Sequence, residues 1–167
     1  HPTEDLVVSA SLDMTIRVWD ISGLKQKRST TSTALGPVPV SMMNRLGIDN
    51  VCSVKYILEG HEAAGTLPKK GAMVKSIVTS TLSTKMAKAY GVEMFETLTG
   101  FKNICGKIPY LHENGYTYLF GYEESVGYAG CEDIRDKDGI SAGMLVTEAA
   151  AYYRKQGKTL WDVLQEI

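Results

Sequence analysis

The stretch "YLFGYEESVGY", residues 118–128, starts as an apolar run and breaks at Gly121, where two glutamates and a serine follow at once. Gly127 then closes the turn. An ordinary exit from a strand accounts for the glycines and the serine, which are common in turns, while Glu is merely tolerated there. Two carboxylates and a hydroxyl at the end of a buried strand therefore call for a second reason, and the flanking sequence has to supply it.

Working outward, strand-like and helix-like segments alternate. "AMVKSIVTST" (72–81) reads as a buried strand, and "LSTKMAKAYG" (82–91) has Leu82, Met86 and Ala89 at helical spacing with Gly91 as a stop. "VEMFETL" (92–98) is a second strand. "TGFKNICGKIPYLHENG" (99–115) can start a helix capped by Thr99 and kept short by Gly106 and Pro109. "YTYLFGYE" (116–123) is a third strand. "DKDGISAGMLVTEAAAYYRKQG" (136–157) is the strongest helix, with Ile140, Met144, Leu145, Ala149 and Tyr152 on one face and Gly157 at its end. "TLWDVLQEI" (159–167) opens another helix with Thr159 as its cap. Strands alternating with helices imply an α/β layer structure over residues 70–167. Met73, Met86 and Met144 are expected in the core, and His112 on the surface.

Before residue 65 the character differs. "LVVSASLDMTIRVWDI" (6–21) reads as two short strands around a turn supplied by "SLDMT", with Asp13 suited to bonding its own backbone. "KQKRSTTSTALGPVPVSMMNR" (25–45) reads as a loop or linker, and "VCSVKYILEGHE" (51–62) as an isolated third strand.

Composition narrows the function classes. The 167 residues are 44% hydrophobic and 22% charged, the balance of a soluble globular protein. Eighteen Lys and Arg against nineteen Asp and Glu leave a net charge of -1, with no basic excess for nucleic acid. Cys52, Cys105 and Cys131 suit neither a disulfide framework nor paired metal-ligand spacing, so the expected location is a reducing cytoplasm. No apolar run approaches a membrane span, and the start at His1 suggests a piece of a longer protein.

"MVKSIVTSTLS" (73–83), "ETLTGFKNICGKI" (96–108), "FGYEESVGY" (120–128) and "RDKDGISAGML" (135–145) occur in this order and spacing. Together they resemble the third domain of the α-D-phosphohexomutases, the phosphoglucomutase and phosphomannomutase family, over about residues 65–167. The resemblance implies a small sheet of about four strands flanked by helices. It also implies a substrate cleft between four domains, to which the third contributes a Gly-Glu-x-Ser loop that grips sugar hydroxyls. Glu123 and Ser125 match that pair; two residues apart on an extended segment, they face the same side, with Glu124 turned away. Here the glycine stands one place earlier than in that loop. Thr99 and Gly100 match the family's substrate-approaching Thr-Gly, Lys137 a lysine that reaches substrate or its phosphate, and Lys75 a lysine near the cleft. A charge inside a buried strand such as Lys75 must in any case emerge somewhere polar.

The same resemblance implies Mg²⁺ and a hexose 1,6-bisphosphate intermediate, with the metal, the phosphoserine and a phosphate clamp supplied by other domains. Their signature stretches do not occur in this sequence, so no catalytic residue, no metal ligand and no turnover by the chain alone are expected. The expected partners are a glucose or mannose phosphate and the remaining domains of a mutase, an isomerase acting by intramolecular phosphotransfer. For the front segment, "HPTEDLVVSASLDMTIRVWDISGL" (1–24) and "KYILEGHE" (55–62) resemble the end of one WD repeat and the start of the next in the coatomer α subunit. That implies an incomplete β segment over residues 1–62 and, as the alternative function, a protein-binding piece of a vesicle coat.

Overall fold

A computed structural model describes residues 6–10, 16–20, 48–125 and 127–167. The chain forms two units, residues 50–142 and residues 1–49 together with 143–167.

In the first unit, strand β3 (Gly71–Ser76) is central and buried along its whole length. It pairs in parallel with β4 (Glu93–Thr97) on one side and with β5 (Thr117–Glu123) on the other. A short antiparallel strand, β6 (Gly127–Ala129), closes the far edge, giving the order β4-β3-β5-β6. Helix α1 (Ile48–Ala63) precedes the sheet, and α2 (Leu82–Ala89) crosses from β3 to β4. Helices α3 (Phe101–Gly106) and α4 (Ile108–Glu113) cross from β4 to β5. Parallel neighbours need such crossovers, and strands covered on both faces become apolar throughout.

One face of the sheet packs Ala72 and Val74 against Phe101, Ile104, Ile108 and Leu111 of α3 and α4. Each of the larger side chains contributes about 1.5–3 kcal/mol by leaving water. Strand β5 carries a bulge: Ala72 pairs with Tyr118 but Met73 with Phe120. The extra residue moves Tyr118 onto the face that also holds Gly121 and Glu123. The break at Gly121 now has its reason. A methyl there would lie 2.5 Å from the Tyr118 hydroxyl and 2.7 Å from Ile104 Cγ2. The Tyr118 hydroxyl occupies that space to donate to the Ala129 carbonyl of β6 at 2.8 Å.

The opposite face carries Met73, Lys75, Phe120 and Tyr122, with Phe120 stacked between Tyr122 and Tyr128 at centroid separations of 5.6 and 5.7 Å.

Several expectations need correction. Residues 51–62 are helix α1, not an isolated strand. Val51, Val54 and Leu58 are buried at i, i+3 and i+7, and this helical spacing outweighs the β-branched content of the segment. Gly60 and His61 thus fall in the last turn of a helix and do not open a WD repeat. Thr99 does not cap α3; the N-cap is Gly100. On helix α2 the buried residues are Ser83 and Ala87, one position on from the expected stripe, and Met86 is only half-buried.

In the second unit, β1 (Leu6–Ala10) and β2 (Ile16–Asp20) form the expected antiparallel pair. The turn with Asp13 and the linker at 25–45 lie outside the described residues. Helix α5 (Gly139–Lys155), whose residues up to Ala142 belong to the first unit, buries Ala142, Val146, Ala149, Ala150 and Tyr153, while Ile140 and Met144 are exposed. The buried stripe therefore follows the small residues rather than the largest apolar ones. Helix α6 (Leu160–Gln165) begins in a capping box in which Thr159 and Asp162 each bond the other's backbone N–H.

Candidate functional site

Four of the residues singled out in the sequence meet at the carboxyl end of β5, where parallel strands of α/β sheets present their ligands. Glu123 is the last residue of the strand and is 6% exposed. Its Oε1 accepts from the Ser125 hydroxyl at 2.9 Å and pairs with the Lys137 ammonium at 2.5 Å. Its Oε2 accepts from the Gly100 N–H at 3.2 Å. Gly100 adopts φ +102°, where a side chain would be strained, and this conformation aims its N–H at the carboxylate ahead of α3.

Burial pushes the Glu123 carboxyl up, but the bonds from Lys137 and Ser125, the Lys137 charge and the Gly100 N–H outweigh it and hold the group below its ordinary value. Glu123 is therefore an ionised acceptor, not a proton donor, at neutral pH. An ionised carboxylate offers about four lone-pair directions. Among the described residues three are taken, which leaves one on Oε2 for a hydroxyl donor. The Ser125 hydroxyl is exposed beside it and can donate or accept, and Thr99, which precedes Gly100 in the chain, is exposed.

Glu124 turns elsewhere and accepts from the Ser76 hydroxyl at 2.6 Å. His112 is half-exposed and pairs with Glu132 at 2.6 Å.

Lys75 is not part of the cluster. It pairs in register with Tyr122, so its side chain leaves the sheet on the face opposite Glu123. Its fully buried ammonium donates to the carbonyls of Thr79 and Ser80, both at 3.2 Å, and pairs with Glu96 at 3.0 Å. The charge emerges at the loop after β3 rather than in the Glu123 cluster.

Two residues that sequence reasoning passed over complete the geometry. Phe101 sits 5.6 Å from the Lys137 ammonium, and Gly127 lies against both. The glycine of "SVGY" was a visible signal, but only as a turn former. Among the described residues no three His, Cys, Asp or Glu side chains converge to hold a metal ion. These residues do not fit a Mg²⁺ centre.

Comparison with known proteins decides the family. The model of the phosphoglucomutase/phosphomannomutase α/β/α domain III matches residues 51–167. The chain belongs to the phosphoglucomutase/phosphomannomutase family. The match includes helix α1, so residues 51–62 are part of the phosphomutase domain and not of a WD-repeat segment. A phosphoglucomutase of Staphylococcus haemolyticus is 36% identical over 114 residues, covering 68% of this chain and 20% of that protein. A Haemophilus influenzae protein named as a phosphomannomutase is 43% identical over 100 residues, covering 59% of this chain and 19% of that protein. The chain thus spans about a fifth of the length of the curated relatives it matches. A Thermus thermophilus chain described as a phosphomannomutase superposes with a TM-score of 0.51 at 21% identity, covering 96% of this chain and 30% of that one. That similarity supports the phosphomutase fold alone. No helix among the described residues is long and apolar enough to cross a membrane.

Proposed function

We propose that residues 51–167 are the sugar-gripping domain of a cytoplasmic phosphoglucomutase or phosphomannomutase, an isomerase that moves phosphate between the 1 and 6 positions of a hexose. The observation that carries this reading is the Glu123 carboxylate, ionised and fixed by three donors at the carboxyl end of a parallel strand, with a lone pair left for a ligand. Glu123 accepts from a sugar hydroxyl, and Ser125 and Thr99 exchange bonds with its neighbours. Lys137, half-exposed beside them, attracts the phosphate. Such a grip needs no proton transfer, so it serves the sugar in either orientation during the two phosphate transfers. Lys75 takes no part in the grip and instead holds the loop after β3.

The phosphoryl-carrying serine, the metal and the phosphate clamp belong to the other domains of such a mutase, which are the proposed partners. The chain by itself positions a hexose phosphate without turning it over. Calorimetric titration with glucose 6-phosphate tests the reading. The wild-type chain should bind, and Glu123→Gln, which keeps the shape but loses the charge, should bind about tenfold or more weakly. Equal binding by the two proteins would remove Glu123 from the site.

A further inference from the structure

Lys137 reaches Glu123 along a path that has no room for a side chain at position 127. A methyl on Gly127 would stand 2.5 Å from Lys137 Cε, 2.6 Å from Phe101 Cε2 and 3.0 Å from Glu123 Oε1. Real side chains do not approach so closely, so something must yield. Phe101 is 5% exposed and locked in the core with Ile104, and Glu123 is fixed on its strand. Lys137 is 46% exposed at the free end of a flexible chain. Gly127 itself is not among the glycines with positive φ, so its backbone would tolerate alanine.

We propose that Gly127 is a positioning residue: its bare Cα is the slot through which the Lys137 stem passes between Phe101 and β6, and the resulting Lys137–Glu123 pair fixes the carboxylate in one orientation. The pairing stands on this geometry. Its use, holding the carboxylate for a sugar hydroxyl, rests on the function proposed above. Turn chemistry alone does not explain the glycine, because a turn former would not need its neighbours packed against the missing side chain.

The test follows the Glu123 carboxyl carbon by NMR through an acid titration of the 167-residue chain. Wild type, Gly127→Ala, Lys137→Gln and the double variant are compared. Losing the lysine should raise the Glu123 midpoint. Gly127→Ala should raise it by a similar amount, and the double variant should go no further than either single one. A midpoint in Gly127→Ala that stays at the wild-type value, or shifts that add in the double variant, would overturn the proposal.

A measurement on the wild type alone covers the case in which Gly127→Ala does not fold. Cross-relaxation should link the Lys137 ε-protons to the Gly127 α-protons and to the Phe101 ring, and its absence would overturn the slot. Glucose 6-phosphate titrations of the same proteins separate the two readings. Binding to wild type that weakens several-fold in Gly127→Ala supports both. A midpoint that responds to Gly127→Ala while wild type binds no glucose 6-phosphate leaves the slot in place and overturns the sugar-binding reading.

Discussion

Lys75 and Glu123 stand one register step apart on neighbouring parallel strands, and their side chains leave the sheet on opposite faces. This relationship divides two buried charged groups that the sequence alone placed in one site. Glu123 faces Gly100, Ser125 and Lys137. Lys75 faces the loop after β3, where it bonds the Thr79 and Ser80 carbonyls and pairs with Glu96. Lys75→Met keeps the apolar stem and leaves two carbonyls without their donor. It should cost about 1–3 kcal/mol in urea unfolding. The higher cost of a broken buried ion pair is not expected, because the Glu96 side chain is 44% exposed and returns to water. The Glu123 carboxyl midpoint should not move; a shift would place Lys75 in the cluster after all.

The depressed Glu123 midpoint links stability to pH. Folding favours the charged form, so this contribution is fully present above the unfolded value of about 4.3. It is lost as pH falls through the lower folded value. Wild type should therefore lose more stability than Glu123→Gln as acid is added below about pH 5. Asp138 and Asp162 are also held below their ordinary range, the first by Ser141 and Ile140 and the second mainly by Thr159, and they act in the same direction. Both are retained in the variant, so the difference between the two proteins isolates Glu123. Parallel acid curves would mean that the carboxyl is not depressed.

Gly121→Ala should destabilise the chain by about 1–3 kcal/mol, the usual cost of overpacking a filled core. The added methyl meets Ile104 and the Tyr118 hydroxyl, whose bond to Ala129 ties β6 to the sheet. Tyr118→Phe removes one of the two obstacles and should recover part of the loss. Unfolding in urea of the single and double variants measures this, and simple additivity would count against the packing account.

Thr159→Ala removes half of the capping box on α6 and should cost about 1 kcal/mol. Thr99→Ala should cost little in stability, because Gly100 holds the N-cap of α3 and the Thr99 side chain is exposed. If instead glucose 6-phosphate binding weakens in Thr99→Ala while stability holds, the hydroxyl belongs to the ligand site. Comparable stability losses in the two variants would return Thr99 to a capping role.

Much of the fold was legible because buried parallel strands and crossover helices write different periods into the chain. Residues 72–81, 92–98 and 116–123 read as strands for that reason, and β3, β4 and β5 fall there, although β3 ends at Ser76 and leaves Ile77 and Val78 exposed. Helix α1 was missed because Val51, Val54, Tyr56 and Ile57 have strand-like chemistry, although Val51, Val54 and Leu58 already marked a helical face. The buried stripe of α5 was misplaced because size was taken as the guide, while Ala142 and Ala150 are the residues that go inside. At the site, Glu123 and Ser125 were legible from the resemblance of their loop; the extended segment assumed for their two-residue spacing ends at Glu123, and Ser125 stands in the turn that follows. The face to which Lys75 belongs was not, because it depends on register across strands far apart in sequence. Nor was the slot at Gly127, which exists only when Phe101 and Lys137 are brought together by the fold.

The most direct test of the central claim is a two-dimensional amide NMR spectrum of the chain, recorded without and then with glucose 6-phosphate in large excess. The account predicts dispersed signals for residues 51–167, with shifts on titration confined to the surroundings of Thr99, Gly100, Glu123, Ser125 and Lys137, and none around Lys75. Dispersed signals that do not move at any concentration, or shifts centred on the loop after β3, would contradict it.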